Sequence, residues 1–475
     1  MENQRSMNEV LKLQREHFLK EGPPSYELRI DRLSRVQDMV IQNKDRITEA
    51  LNADFGTRSQ NQSLISDVYG VLPAFSHAKK HLKSWMKDEK RKSNFPFSLL
   101  GAKSYIHREP LGIIGMISPW NFPMYLSLAP LAGIFSAGNQ VMHKPSEFTP
   151  ITSELLKEIC DSSFDETEFA TFLGGPDVGE SFTKLKFDHL LFTGSGNIGK
   201  HVMRAAADNL VPLTLELGGK SPVIVSDSSN IDITARRVMF NKTLNAGQIC
   251  LAPDYVYVHE TEKDNFVEAC KKQVNNFYSD LKYNPDYTSV INQKHYDRLN
   301  GLLSDAKDHG AEIVEINPAD EDFSQQESHK IPPTLVLNPN DDMQIMKEEI
   351  FGPLLPIKTY TDINEPINYI NKNDKPLGLY YFGNNKSEQS KVVNSTTSGG
   401  VTVNDIMGHI QQNELGFGGV GPSGMGKYDG FDGFMNFSNN KPIYKQISFR
   451  LDKALDAIRP PYKGSLQGVL EKLLK

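Results

Sequence analysis

The sequence predicts an α/β protein: a doubly wound parallel sheet followed by a second α/β unit. Three observations carry this. Short apolar runs alternate with helical stretches from about residue 112 to about 400. The runs are apolar at nearly every position rather than every second one, as in strands covered on both faces. The chain is 475 residues long. At about 150 residues per domain that allows two or three domains, enough to bury more than one core.

Residues 1–100 read as helices. Val10, Leu13, Phe18 and Leu19, then Leu28, Leu33, Val36, Val40 and Ile41, recur at near-helical spacing. Strands are expected at Gly112–Ser118, Val141–Lys144, Phe169–Leu173, His189–Thr193, Pro212–Leu217 and Pro222–Val225. Helices are expected between them near 123–137, 151–160, 197–208 and 232–245. Thr149-Pro150 reads as a helix start, with an oxygen-bearing cap and proline in the first turn. The alternation resumes with a strand at Tyr255–His259 and a helix near 261–280. Segment 400–436 is glycine-dense and reads as shaped loops. The tail from Gly464 to Lys475 carries Leu466, Val469, Leu470, Leu473 and Leu474 on one helical stripe, expected to dock on the protein's own body or on a second subunit.

Composition narrows the function. Lys and Arg number 52 against 59 Asp and Glu, a net charge of −7 with no basic block, which argues against nucleic acid as a partner. Pro110 to Met142 holds no Asp, Glu, Lys or Arg, but Pro119, Pro123 and Pro130 interrupt it. A membrane span needs about 20 mostly apolar residues, so a buried strand, loop and helix fits better. Three cysteines cannot make a disulfide framework, no CxxC or His/Cys cluster points to a metal, and the charged N-terminus has no apolar signal core. A reduced, cytoplasmic setting is the expectation.

Ligands in open α/β sheets gather beyond the carboxyl ends of strands. Four expected strand ends carry polar or glycine residues: Pro119-Trp120-Asn121, Lys144-Pro145-Ser146-Glu147, Gly194-Ser195-Gly196-Asn197-Ile198-Gly199, and Glu216-Leu217-Gly218-Gly219-Lys220. Gly194–Gly199 matches G-x-G-x-x-G, which could cradle a pyrophosphate or simply turn the chain tightly. Glu216 lies 20 residues beyond Gly196, where an acid that grips ribose hydroxyls is expected. The Lys144/Glu147 pair could serve the ribose instead, leaving Glu216 free. Cys160 and Cys270 sit on apolar stripes and read as core. Cys250 follows a helix in a glycine-bearing loop and reads equally as core or as a nucleophile, for which its thiol must ionise. Asn121 could instead cap the helix beginning at Pro123, Lys144 could be a surface charge, Glu349 half of an acidic pair with Glu348, and Phe351 core.

Six motifs now stand in order: Pro119-Trp120-Asn121-Phe122-Pro123, Lys144-Pro145-Ser146-Glu147, Phe192-Thr193-Gly194-Ser195, Leu215-Glu216-Leu217-Gly218-Gly219-Lys220, Gly247-Gln248-Ile249-Cys250 and Glu349-Ile350-Phe351-Gly352-Pro353. Together they resemble the aldehyde dehydrogenase superfamily over about residues 100–430. The short N-terminus, Asn404-Asp405, Phe417-Gly418-Gly419-Val420-Gly421 and Arg459-Pro460-Pro461-Tyr462 look most like its class 3 branch. That branch has a bulkier residue near 408, where this chain has Gly408, so the pocket shape is left open.

The resemblance implies NAD(P)+-dependent oxidation of an aldehyde to a carboxylic acid. Cys250 would attack the carbonyl, the Asn121 amide and the Cys250 N–H would hold the oxyanion, and Glu216 would activate the hydrolytic water. Lys144 and Glu147 would hold the adenosine ribose, Gly194 and Ser195 would meet the pyrophosphate, and Glu349 the nicotinamide ribose, with Phe351 packed beside it. Trp120, Gly199, Leu217 and Gly218 complete the expected cofactor contacts. NAD is favoured and NADP allowed, because Glu147 opposes a 2′-phosphate. The competing readings are an acylating dehydrogenase that uses coenzyme A and a non-catalytic protein that keeps the fold. The implied domains are 1–99 with 112–217 for the dinucleotide, 218–400 for catalysis, 100–111 with 401–460 for a bridging, oligomerising and glycine-rich region, and 461–475 as a tail. A homodimer is expected.

Overall fold

A computed structural model describes residues 5–95, 97–461 and 465–474. Among these residues the strands form three sheets. The first runs, edge to edge, Gly424–Met425, Leu213–Glu216, His189–Thr193, Ile113–Ile117, Gln140–Lys144 and Phe169–Thr171. All its pairings are parallel except that of Gly424–Met425. The second runs Glu312–Glu315, Thr334–Leu337, Leu354–Tyr360, Tyr255–His259, Pro222–Val225, Gly378–Phe382 and Gly400–Val403, parallel except for its first strand. The third is antiparallel: Glu89–Arg91, Lys103–Pro110 and Ser438–Lys445.

Unbroken apolar strands are explained by burial on both faces. In the first sheet Ile114, Val141, Phe169 and Leu191 point into a central core, while their neighbours Ile113, Met142, Ala170 and Leu190 point into an outer one. In the second, Val223, Val256, Leu335 and Tyr380 enter that same central core, and Ile224, Tyr257, Val336 and Leu379 another outer one. The central core therefore lies between the two sheets. The six apolar runs expected to be strands from 112 to 225 all are, to within a residue or two at their ends.

Several expectations need correction. The helix near 123–137 is two, Pro123–Leu128 and Leu131–Ala137, because Pro130 has no N–H to continue the ladder. The helix at Pro150–Ser163 starts as expected, but Thr149 makes no cap. Asp54 takes that place, accepting from the N–H groups of Ile151 (3.0 Å) and Thr152 (2.7 Å). Glu89–Arg91, expected inside 1–99, belongs to the small antiparallel sheet. Gly400–Val403 is an edge of the second sheet, not part of a 401–460 loop region. Gly424–Met425, also expected in that region, pairs with Leu213–Glu216. At Gly424 φ is +146° and any Cβ would collide with the Leu215 carbonyl, so only glycine permits that pairing. The tail forms a helix at Ser465–Leu473. Leu470 and Leu474 of its stripe are exposed on this chain, so they do not dock on its own body, and the Leu466, Val469 and Leu473 side chains, with Gly464 and Lys475, lie outside the described residues. Tyr462 of the class 3 ending lies outside them too.

Candidate active site

The first sheet sets the location. The chain enters it at Ile113–Ile117, steps outward to Phe169–Thr171, and returns on the other side of the first strand at His189–Thr193. The strand order therefore switches between Ile113–Ile117 and His189–Thr193, where a crevice opens at the carboxyl ends. A cleft of about 1020 Å³ lies there. Trp120 and Asn121 line it from one strand end, and Gly194, Ser195 and Gly199 from the other. Glu216, Leu217 and Gly218 follow the next strand into the same cleft, and Cys250, Glu349 and Phe351 enter from the second sheet. Lys144 and Glu147 lie outside its lining; they form an ion pair of 2.7 Å at the end of the neighbouring strand. Gly408 does not line it either.

The loop before Cys250 is strained and tightly held. Asn245, Ala246 and Gly247 have φ of +50°, +50° and +71°, a left-handed run that costs about 1–3 kcal/mol for each non-glycine residue unless its surroundings enforce it. They do. The Asn245 N–H donates to Gln62 Oε1 (3.1 Å), and Asn245 Nδ2 to the Asn121 carbonyl (3.0 Å). Gln248 Nε2 donates to the carbonyls of Asn245 and Ser289, and its Oε1 accepts from the Ile291 N–H. Asn121 Nδ2 donates to the Gln248 carbonyl (3.1 Å). Asn121 is therefore no helix cap, and its amide has one N–H to spare. Behind it, Arg58 donates to the Asn121 carbonyl (2.7 Å) and pairs with Asp67 (2.6 Å), both side chains fully buried.

Two carboxyl groups flank the thiol. Glu216 is buried, and neither of its oxygens meets a hydrogen-bond donor among the described residues. Burial, reinforced by Asp429, holds its pKa well above the ordinary range. Glu349 is half-buried; burial, and then Asp254, pushes it up to about 8. Burial also pushes the Cys250 thiol up, with Glu349 and Glu216 adding to the shift. The two nearby carboxyls, held above their ordinary range by burial, are the groups that could exchange a proton with this thiol. Cys160 and Cys270 are buried core residues.

The turn at the other end is built to be approached closely. A Cβ on Gly194 would sit 2.6 Å from the Phe192 ring, and one on Gly199 would sit 2.8 Å from Leu217. A Cβ on Gly218 would strike the Glu349 carboxylate. Gly196 has open space around its Cβ position, so this third glycine of the pattern meets no steric demand. Ser195 caps the helix Gly196–Ala207, whose N-terminus faces the cleft. Such an N-terminus attracts phosphate. Phe351 has φ of +49° and meets Trp120 edge-on at 5.4 Å. Arg298 fixes that strained segment by donating to the carbonyls of Glu349 (3.3 Å) and Ile350 (2.5 Å). Lys220 pairs with Asp254 and donates to the carbonyls of Ile345 and Glu348.

The supporting residues Arg58, Asp67, Gln62, Asn245 and Arg298 escape the sequence reading, as does Tyr428 of the cleft wall, while Phe417 enters it only within a class 3-like motif. Arg58 and Asn121 are 63 positions apart, and Gln62 and Asn245 are 183 apart. The one local signal is Asn245-Ala246-Gly247 itself, because Asn and Gly tolerate left-handed backbone.

Two opposed α/β units thus bring a thiol, an amide and a carboxyl to one cleft at their junction, the layout of an enzyme active site. Comparison with known proteins agrees. The aldehyde dehydrogenase family matches residues 8–443, and the chain belongs to that family of oxidoreductases. It is 51% identical over 470 residues, 99% of this chain and 97% of the other, to a probable coniferyl aldehyde dehydrogenase of Caulobacter vibrioides. It is 49% identical over 456 residues to the coniferyl aldehyde dehydrogenase of a Pseudomonas species, covering 96% and 94% of the two chains. To the dimeric NADP-preferring aldehyde dehydrogenase of Rattus norvegicus it is 37% identical, covering 92% and 94%. Among solved structures, substrate-bound AldH of Staphylococcus aureus superposes with a TM-score of 0.92 at 36% identity, covering 99% and 100%.

Proposed function

We propose that the protein oxidises aldehydes to carboxylic acids with NAD(P)+, through a thioester on Cys250 that water hydrolyses. One observation carries this reading: Cys250, the Asn121 amide and the unpartnered Glu216 carboxyl share a single cleft. The cleft also fits a dinucleotide. The helix N-terminus at Ser195 suits a pyrophosphate, and Glu349 has a buried oxygen without a partner among the described residues, apt for ribose hydroxyls. When bound, the dinucleotide supplies the hydride acceptor.

The chain's own residues do the rest. Cys250 gives its proton to a nearby carboxylate and attacks the carbonyl carbon. The spare Asn121 N–H and the Cys250 backbone N–H hold the oxyanion, and losing one such donor costs about 2.7–4 kcal/mol of barrier. Glu216 then takes a proton from water, which attacks the Cys250 thioester. Trp120 and Phe351 wall the ring end of the cofactor, and Leu217, Gly199 and Gly218 give it a close-fitting floor. Lys144 and Glu147 hold the adenosine ribose beyond the cleft proper. Glu147 favours a free 2′-hydroxyl, and its Lys144 partner allows a 2′-phosphate, so NAD is the principal cofactor and NADP an accepted one.

The substrates are aromatic aldehydes of the coniferyl type, supported by the two relatives so named and by the Phe417 and Tyr428 rings in the cleft wall. The first sheet serves the cofactor and the second catalysis. The protein works as a cytoplasmic homodimer, joined through the small antiparallel sheet, whose edge strand Ser438–Lys445 is largely exposed. No helix among the described residues is long and apolar enough to cross a membrane. The test is NADH formation from coniferaldehyde and NAD+ without coenzyme A. Turnover only when coenzyme A is added would point to the acylating reaction, and no turnover with any aldehyde would defeat the proposal.

A further inference from the structure

We propose that His77, His81 and Glu414 form a binding site for a divalent transition-metal ion of the zinc type, which ties the helix Leu72–Trp85 to the loop leading to Phe417. The site lies outside the dehydrogenase cleft and does not depend on the chemistry proposed there.

The geometry begins with the helix. Residues four apart share one face, and His77 and His81 present imidazoles whose centroids are 4.5 Å apart. Glu414 arrives from a loop 333 positions after His81 (414 − 81) and brings a carboxylate oxygen to 3.4 Å from His77 Nε2. One ligand atom from each of the three lies within 4.8 Å of the other two. A tetrahedral zinc ion bonds imidazole nitrogen and carboxylate oxygen at about 2.0–2.2 Å, which spaces its ligand atoms about 3.3–3.6 Å apart. The His77–Glu414 edge already has that spacing, and the Glu414 side chain, 76% exposed, has freedom to close the rest.

The donor set selects the metal. Two imidazoles and one carboxylate suit zinc, cobalt, nickel or copper, whereas calcium and magnesium prefer all-oxygen shells. Three protein ligands leave a fourth position for water.

The surroundings are firm where the ligands attach. Trp85 stacks on His81 at 6.0 Å and packs on Phe431 and Phe434 of the helix Gly430–Asn436. The loop bearing Glu414 touches that helix on either side. The Asn413 carbonyl lies where a Cβ of Gly430 would be, and Asp432 where a Cβ of Gly416 would be. Three residues beyond Glu414 stands Phe417, in the cleft wall. A metal here would brace that wall from behind. No short-range motif announces the site, because two ligands come from one helix and the third from the far end of the chain.

Trp85 gives a local readout, since the chain has two tryptophans and the other is Trp120. In a full-length Cys250→Ser/Trp120→Phe protein, Trp85 is the sole indole and the cleft thiol cannot bind metal. Co2+, an open-shell quencher, should quench this fluorescence saturably at one ion per chain, and Zn2+ should reverse it. His77→Asn and His81→Asn should each weaken binding about a hundredfold or more, given that even changes behind a ligand cost 10–100-fold. Glu414→Gln, a surface change that leaves folding alone, should weaken it too. Zn2+ should also slow hydrogen exchange across residues 408–417. Quenching that never saturates, an affinity unchanged by Glu414→Gln, or exchange in 408–417 indifferent to Zn2+ would overturn the proposal.

Discussion

The two large sheets meet the cleft from opposite ends. The first sheet offers the segments that leave its strands: Trp120-Asn121 after Ile113–Ile117, Gly194-Ser195 after His189–Thr193, and Leu217-Gly218 after Leu213–Glu216. The second offers the segments that enter its strands: Cys250 before Tyr255–His259, and Glu349 and Phe351 before Leu354–Tyr360. The mechanical difference is as large. Cys250 follows a left-handed run fixed by Asn245, Gln248, Gln62 and a buried Arg58–Asp67 pair. Around Gly194–Gly199 the structure instead shows a capped helix start, tight against Phe192 and Leu217 at its two ends and open at Gly196. On the proposed mechanism, rigid support gathers where the thiol is aimed, and bare backbone where the dinucleotide enters.

Substitutions on the two sides should therefore behave differently. The largest effect belongs to Cys250→Ala, which should lower steady-state NADH formation about 10⁴-fold or more, with no change in thermal stability to excuse it. Asn121→Ala should lower kcat about 10²–10³-fold through the lost oxyanion donor. Arg58→Met leaves Asp67 as a lone buried charge. Chemical denaturation should show a loss of about 3–5 kcal/mol, far more than a change at the open Gly196. Gly218→Ala pushes on Glu349 and should raise KM for the dinucleotide roughly tenfold, about 1.4 kcal/mol, while Tm holds. Gly196→Ala, on the open turn, should leave stability and KM nearly unchanged, within about 0.5 kcal/mol. A large Gly196→Ala effect would mean that the turn grips its ligand more tightly than its geometry implies.

The same contrast governs what the sequence discloses. Strands of the first sheet announce themselves by unbroken apolar runs, and the strand-end rule leads directly to Asn121, Gly194 and Glu216. That rule is blind to the second sheet, whose contributions precede their strands. Glu349 and Phe351 stand out only through the ordered motifs of a resembling family, and Cys250, evenly balanced between core and nucleophile by its loop, is decided by them. The Asp54 cap, the Arg58–Asp67 pair and the Gly424–Met425 strand are contacts between distant segments, and nothing in their local sequence marks them. Gly196 teaches the converse: it completes a motif that the geometry around it does not require.

The pH dependence follows from the direction of the shifts. Burial raises the pKa of both Glu216 and Cys250, and the proposed mechanism uses both in their deprotonated forms. Activity should therefore rise with pH, along a limb set by the pair and lying well above the ordinary carboxylate value of about 4.3. A kcat/KM profile flat down to pH 5 would show that neither group titrates as described.

The most direct measurement is rapid-quench mass spectrometry of the Glu216→Gln protein mixed with coniferaldehyde and NAD+. The account predicts a burst of about one NADH per chain, with one acyl group on the peptide that contains Cys250, because the thioester forms but hydrolyses slowly. Sustained turnover at the wild-type rate, or a burst with no acyl group on Cys250, would contradict it.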